Sequence, residues 1–246
     1  MKKRVILLLF IILIMGAIFS LINTKGEKNI LREDKPLIDA LGQKNESKEA
    51  EGLSRKTIVI DPGHGGEDRG TKGKVLGTIE KDLNLKIAKN IKKELEERTD
   101  AKVILTRESD SSLLPGTNQK EELQARVKVA KDHEADLYIS IHHDAFEDVN
   151  VKGITTHFGA NKRKDKQLAR IIQKAIFDQN IDTRNRGIQE SDFHVLRENS
   201  SPAVLIELGF TSNESDEKRM NSEEFQEKSK KGIVDGIIHY FKISGN

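Results

Sequence analysis

The sequence predicts an α/β fold, a mainly parallel sheet with helices on both faces, in a single domain after an N-terminal membrane helix. Three observations carry this. Across residues 56–243, β-rich runs of four to eight residues alternate with segments whose apolar residues recur at helical spacing. One such run, Ala203–Phe210, is continuously apolar apart from a single acid, as a strand buried on both faces requires. At the chain start, Lys2-Lys3-Arg4 precede an almost unbroken apolar stretch, Val5–Ile22.

That stretch is 18 residues long, about 27 Å as a helix against a hydrocarbon core of about 30 Å. A cleaved signal segment is the competing reading. Its apolar region is usually about 7–15 residues and ends in a small-x-small site, whereas Ala17 and Ser20 are followed two positions on by Phe19 and Ile22. An uncleaved anchor is therefore preferred. In either case residues 1–4 form a cytoplasmic basic tail and the chain after residue 22 is exported, membrane-anchored or secreted. Residues 23–55 are rich in Lys, Glu, Asp and Asn with sparse apolar positions, too few to offset chain entropy, and read as a polar linker.

Within 56–243, Thr57–Ile60 is a short strand that breaks at Asp61-Pro62-Gly63. Leu83, Ile87, Ile91 and Leu95 mark a helix, and Lys102–Thr106 the next strand. Leu123, Val127 and Ala130 mark a second helix, Asp136–His142 a third strand and Ile154–Phe158 a fourth. Leu168, Ile171, Ile172, Ala175 and Ile176 place a third helix before the apolar strand Ala203–Phe210. Phe225, Ile233, Ile237 and Tyr240 form a last helix, which Gly232 and Gly236 weaken.

Composition excludes several functions. With 42 Lys+Arg against 40 Asp+Glu the net charge is +2, without the basic field of a nucleic-acid binder. The absence of Cys excludes disulfides, iron–sulfur clusters, thiolate nucleophiles and Cys-ligated zinc. No Trp and two Tyr leave little for a stacking platform. Any metal must be held by His, Asp or Glu.

In parallel sheets the site lies outside the carboxyl ends of the strands. This rule selects His64, just past the first strand, His142 at the end of the third, and Glu207 in the last. Glu80 opens the first helix after a glycine-rich loop and can face the same rim. Each has a duller reading. A lone glycine-flanked His64 is more often structural, and Glu80 could be a first-turn acid with Thr78 as N-cap. The loop itself is no phosphate cradle: Asp68 stands where G-x-G-x-x-G needs its third glycine, and Val75 follows Gly73-Lys74 where a P-loop needs Ser or Thr. His142 and His143 are strand neighbours pointing to opposite faces, so at most one enters the site. Glu207 is the hardest to dismiss, because a carboxylate in an apolar strand is costly unless paired, hydrogen-bonded or near a cation. His133-Glu134 is not H-E-x-x-H, since Leu137 replaces the second His. His157, His194 and His239 lack a companion pattern and read as packing or surface residues.

Two His and one Glu on one rim match the ligand set of a catalytic Zn2+ site with a fourth position for water. A second, non-ligating carboxylate can carry the proton from water to a leaving amine, which suits Glu207.

The segments TIVIDPGHGGEDRG, GTIEKDLNL, RVKVAKDHEADLYISIHHDAF and PAVLIELGFTSNESDE, in that order over nearly all of 57–243, resemble the zinc-dependent N-acetylmuramoyl-L-alanine amidases of the Amidase_3 type. The resemblance implies a hydrolase that cuts the amide between the lactyl group of N-acetylmuramic acid and the first L-alanine of the peptidoglycan stem. It places the zinc ligands on His64, Glu80 and His142, the catalytic acid on Glu207, and an orienting ion pair on Arg126. His143-Asp144 departs from the family's usual continuation, which leaves His143 as an alternative ligand, and Asp68-Arg69-Gly70-Thr71 departs in the first motif. The anchor, the linker and the absence of wall-binding repeats resemble the sporulation and germination amidases that act on spore cortex. Peptidoglycan and the membrane are the expected partners, nucleic acid is not, and the sequence names no activating protein. Two other readings share these residues: a zinc peptidase on stem peptides, and a tethered wall-binding module without turnover.

Overall fold

The computed structural model describes residues 53–244. The expected basic tail at 1–4, membrane segment at 5–22 and nearly all of the linker at 23–55 lie outside the described residues. Among the described residues, no helix is long and apolar enough to cross a membrane.

The described elements are β1 (Thr57–Pro62), α1 (Glu80–Arg98), β2 (Lys102–Leu105), α2 (Gln119–Asp132), β3 (Leu137–Asp144), β4 (Ile154–Phe158), α3 (Arg163–Phe177), β5 (Asn185–Glu190), α4 (His194–Arg197), β6 (Ala203–Phe210), α5 (Glu214–Met220) and α6 (Glu223–Ser244). The six strands form one sheet in the order β2-β1-β3-β6-β4-β5. Four of the five pairings are parallel; β4 runs antiparallel to β6.

Strand alternation sorts side chains onto two faces. Ile58 and Ile60 of β1, Leu137, Ile139 and Ile141 of β3, and Val204, Ile206 and Leu208 of β6 join α1, α3 and α6 in the large core. The opposite positions, Val59, Tyr138, Ala203 and Leu205, pack on α2 and α4 in a much smaller cluster. The predicted stripe Leu83, Ile87, Ile91 and Leu95 lies on the buried side of α1.

Four details differ from the sequence reading. Leu53, inside the expected linker, is fully buried in the large core, so packing begins before residue 56. The strand β5, Asn-Arg-Gly-Ile-Gln-Glu, is mostly exposed and polar, and the short helices α4 and α5 have too few residues for a periodic signal. The N-cap of α1 is Ile79, not Thr78, whose Oγ1 instead accepts from Asn221 Nδ2 at 2.8 Å. Finally, Gly232 and Gly236 do not weaken α6: they let it approach α3. A Cβ on Gly232 would stand 2.5 Å from Ile176 Cα, and one on Gly236 3.0 Å from Ile172 Cα. The lost helix propensity, about 1 kcal/mol per glycine, is offset by that close packing.

Candidate active site

The four sequence-selected residues converge at the carboxyl ends of β1, β3 and β6. His142 and Glu207 are register partners on β3 and β6, so their side chains leave the sheet on one face. Glu80 reaches the same point because the 71–79 loop doubles back: Lys72 bridges Ile79, and Glu80 N donates to Thr71 O at 3.1 Å. His64 enters from the turn after β1.

His64 Nε2 lies 3.0 Å and His142 Nδ1 3.1 Å from Glu80 Oε1. These three residues form a group whose ligating atoms all fall within 4.8 Å of one another, as a metal ion would need. Glu80, 1% exposed, also accepts from Thr71 N at 2.7 Å, His143 N at 3.2 Å and Asn84 Nδ2 at 3.3 Å. Burial alone would raise its pKa, but the bonds from His142 and His64 outweigh it and hold the carboxyl well below its usual range. For His64, burial favours the neutral ring while the Glu80 and Asp68 carboxylates favour the cation, and the carboxylates win.

Each member is held by a further group. Asp68 Oδ2 meets His64 Nδ1 at 2.8 Å, which turns Nε2 toward Glu80. His64 sits at φ 62°, a left-handed conformation unusual for a side-chain-bearing residue. Two guanidiniums over-determine this turn: Arg126 donates to Pro62 O at 3.0 Å and His64 O at 2.8 Å, and Arg107 to Pro62 O and Gly63 O at 3.0 Å. Arg126 makes the expected ion pair, with Asp61 at 2.7 Å. Asp61 further accepts from Thr106 and Ser140. Burial pushes its pKa up, but Arg126 and Thr106 bring it down to about 2. Gly63 is obligatory for close approach, since a Cβ there would stand 2.2 Å from the His142 ring.

His143 settles on the other face. It follows Leu137, Ile139 and Ile141 toward α1, where its Nδ1 meets Asn84 Oδ1 at 2.7 Å, and burial lowers its pKa to about 4. It is not in the ligating group, so His142 is the imidazole that faces His64. His157 contacts Ser191 Oγ at 2.8 Å and the Phe193 ring, and His239 is exposed.

Glu207 shares the burial of Glu80 but not its hydrogen-bond partners. Its Oε2 is buried without a hydrogen-bond partner among the described residues. Burial, then the charges of Asp144 and Glu80, push its pKa well above the usual value. One acid is held ionised and a second, beside it, favours its protonated form; such a split is how a site assigns one carboxylate to charge and another to proton transfer.

The 58–239 stretch matches the family model Amidase_3, described as N-acetylmuramoyl-L-alanine amidase. The chain belongs to the Amidase_3 family. It is 38% identical to YqiI of Bacillus subtilis (strain 168) over 197 residues, covering 78% of this chain and 88% of that one. The probable cell wall amidase LytH of Staphylococcus epidermidis is 36% identical over 201 residues; the match covers 77% of this chain but only 60% of LytH. The CwlD amidase of Clostridioides difficile, solved in complex with the GerS lipoprotein, superposes with a TM-score of 0.72 at 36% identity, covering 77% of this chain and all of CwlD. The α/β architecture is thus that of the amidases, and the chain is an enzyme of this amidase family.

Besides Arg107, three contributors lay outside the sequence reading. Asn84 stands four residues after Glu80, a helical spacing that could have marked it. Asp68 could have been marked by its four-residue distance from His64. Glu217 had no local signal. Fully buried on α5, it accepts from Val75, Leu76 and Thr78 N at 2.8, 3.0 and 3.1 Å, and so straps down the loop that delivers Glu80.

Proposed function

We propose that this amidase is zinc-dependent and hydrolyses the bond between the lactyl carbonyl of N-acetylmuramic acid and L-alanine in peptidoglycan, with Glu207 moving the proton. The observation that carries the reading is the pairing of a convergent His64–Glu80–His142 group with a partnerless, protonation-prone Glu207 on the adjacent strand.

The donor set fits Zn2+. Two imidazole nitrogens and a carboxylate oxygen are its usual ligands, and ligands at about 2.0–2.2 Å in a tetrahedron stand about 3.4 Å apart, close to the 3.0 and 3.1 Å separations here. When bound, zinc supplies a nucleophile by bringing the pKa of water to about 7, and polarises the carbonyl. The chain's own residues do the rest. Asp68 fixes the His64 ring, Asn84 and Thr71 fix Glu80, and the Gly63 gap admits the His142 ring. With the charge of the bound ion favouring its ionised form, Glu207 takes a proton from the attacking water and delivers it to the nitrogen as the C–N bond breaks. Water and amide are consumed; a lactyl carboxylate and a free L-alanine amine remain.

The reading extends to residues 1–55: a membrane tether at 5–22, a linker, and a catalytic domain working on the extracytoplasmic side. The substrate class and the single-anchor layout support a role on cell wall or spore cortex. The complex of CwlD with GerS supports a protein partner for this chain as well.

The test is metal analysis of the purified chain together with mass spectrometry of muropeptides before and after chelation. About one zinc per chain is expected, with products bearing free lactyl ends and intact stem peptides, lost on chelation and restored by Zn2+. Cleavage within the stem would favour a peptidase, and undiminished activity after complete metal removal would sink the zinc reading.

A further inference from the structure

Arg186 lies on β5 at the rim of the site, and its guanidinium sits 5.1 Å above the Phe210 ring. Phe210 is the register partner of Asp144 and ends the strand that carries Glu207. Arg186 is exposed, and the contact its guanidinium makes among the described residues is with that ring. Ile154 and Thr156 of β4 pair with Asn185 and Ile188, so Arg186 lies across from Thr155, the register partner of Glu207. A guanidinium stacked on an aromatic ring is pre-oriented, keeps its donors free, and loses little freedom on binding an anion. Gly187, at φ 77° with open space where a Cβ would stand, turns the backbone here and leaves the approach clear.

Strand order gives the substrate a direction. His64 follows β1, His142 is on β3, Glu207 on β6, and then come β4 and β5. On the reading above, the leaving nitrogen must lie on the Glu207 side, because that group delivers its proton. The stem peptide then continues over β4 toward β5, and the glycan lies toward β1. Two strand spacings separate β6 from β5, about 10 Å. Two stem residues span about 7 Å, and the long Arg186 side chain covers the remainder. A carboxylate on the second stem residue, free as the acid or blocked as the amide, would fall within that reach.

We infer that Arg186, stacked on Phe210, is a specificity residue that pairs with the α-carboxylate of the second stem residue and so distinguishes acid from amidated peptidoglycan. This inference takes its substrate direction from the proposed amidase reaction, yet its test does not need turnover. The zinc-loaded full chain is titrated calorimetrically with two L-alanyl-glutamyl stem tripeptides, one with the free α-carboxylate and one amidated, and the titration is repeated with Arg186→Gln and Arg186→Lys. The wild type should bind the acid at least about tenfold tighter, the Gln variant should bring the ratio to about one, and Lys should retain part of it, as a point charge without the fork. A wild type without preference, or a preference that survives Arg186→Gln, overturns the inference. A preference that depends on Arg186 in a chain that cleaves no muropeptide would overturn the amidase reaction and leave Arg186 as an anion-reading residue.

Discussion

On the face of the sheet covered by α1, α3 and α6, the inward residues of β1 and β3 are Ile58, Ile60, Leu137, Ile139 and Ile141. On the other face the same two strands present Val59, Asp61, Tyr138, Ser140 and His142, and β6 adds Leu205 and Glu207. The first face is apolar, closed and large enough to hold the fold. The second carries a buried ion pair, a network of hydroxyls and the chemistry. The buried charge there is tolerated because it is answered by partners: Asp61 by Arg126, Thr106 and Ser140. Glu207 Oε2 has no such partner among the described residues, and a carboxyl left unanswered in this way is poised for proton transfer.

The sharpest way to break this contrast is Glu207→Gln. It should lower the rate on muropeptides by about 10²–10⁴-fold while the urea midpoint stays close to wild type, because no protein hydrogen bond to Oε2 is lost. A comparable loss of stability and activity together would mean that Glu207 is structural.

Next come paired truncations, one per face. Arg126→Ala should cost about 3–5 kcal/mol by leaving Asp61 buried and uncompensated, and it should also reduce activity per folded molecule by freeing the His64 turn. Ile172→Ala, in the large core beneath Gly236, should cost a similar 2–5 kcal/mol with activity per folded molecule retained. Urea unfolding and kinetics on the same samples separate the two; equal losses of specific activity would erase the distinction between the faces.

The smallest effect is the pH dependence of Asp61. Its folded pKa, about 2, lies below the ordinary 3.8 of an aspartate, so its contribution is fully present above about pH 4 and is lost as pH falls through 2. The size is about 2 kcal/mol at 1.36 kcal/mol per unit. Unfolding free energies measured from pH 5 to pH 2 should fall less steeply in Asp61→Asn than in the wild type. Parallel slopes would show that the acid is not held ionised.

The major helices and five of the six strands were legible because each carries its own apolar period, and four of the site residues were legible because they stand at strand or helix ends. The strand β5 was not, since an exposed edge strand containing Gly187 buries nothing that would impose alternation. Gly232 and Gly236 read as defects in α6 because their use depends on α3, more than fifty residues away. The choice between His142 and His143 needed Asn84: alternation separates the two rings, but only the packing of α1 decides which face is closed.

What the residues alone determined is the alternation of strand and helix, the apolar face of each helix, and a short set of reactive groups at the right ends. These follow from local periodicity, which neighbours in the chain impose. The tertiary structure decided which groups meet. Glu217 is about 140 residues from the amides it binds, and Asp61 and Arg126 are 65 apart; no local period encodes such pairings, because they arise only when the sheet brings distant chain ends to one rim.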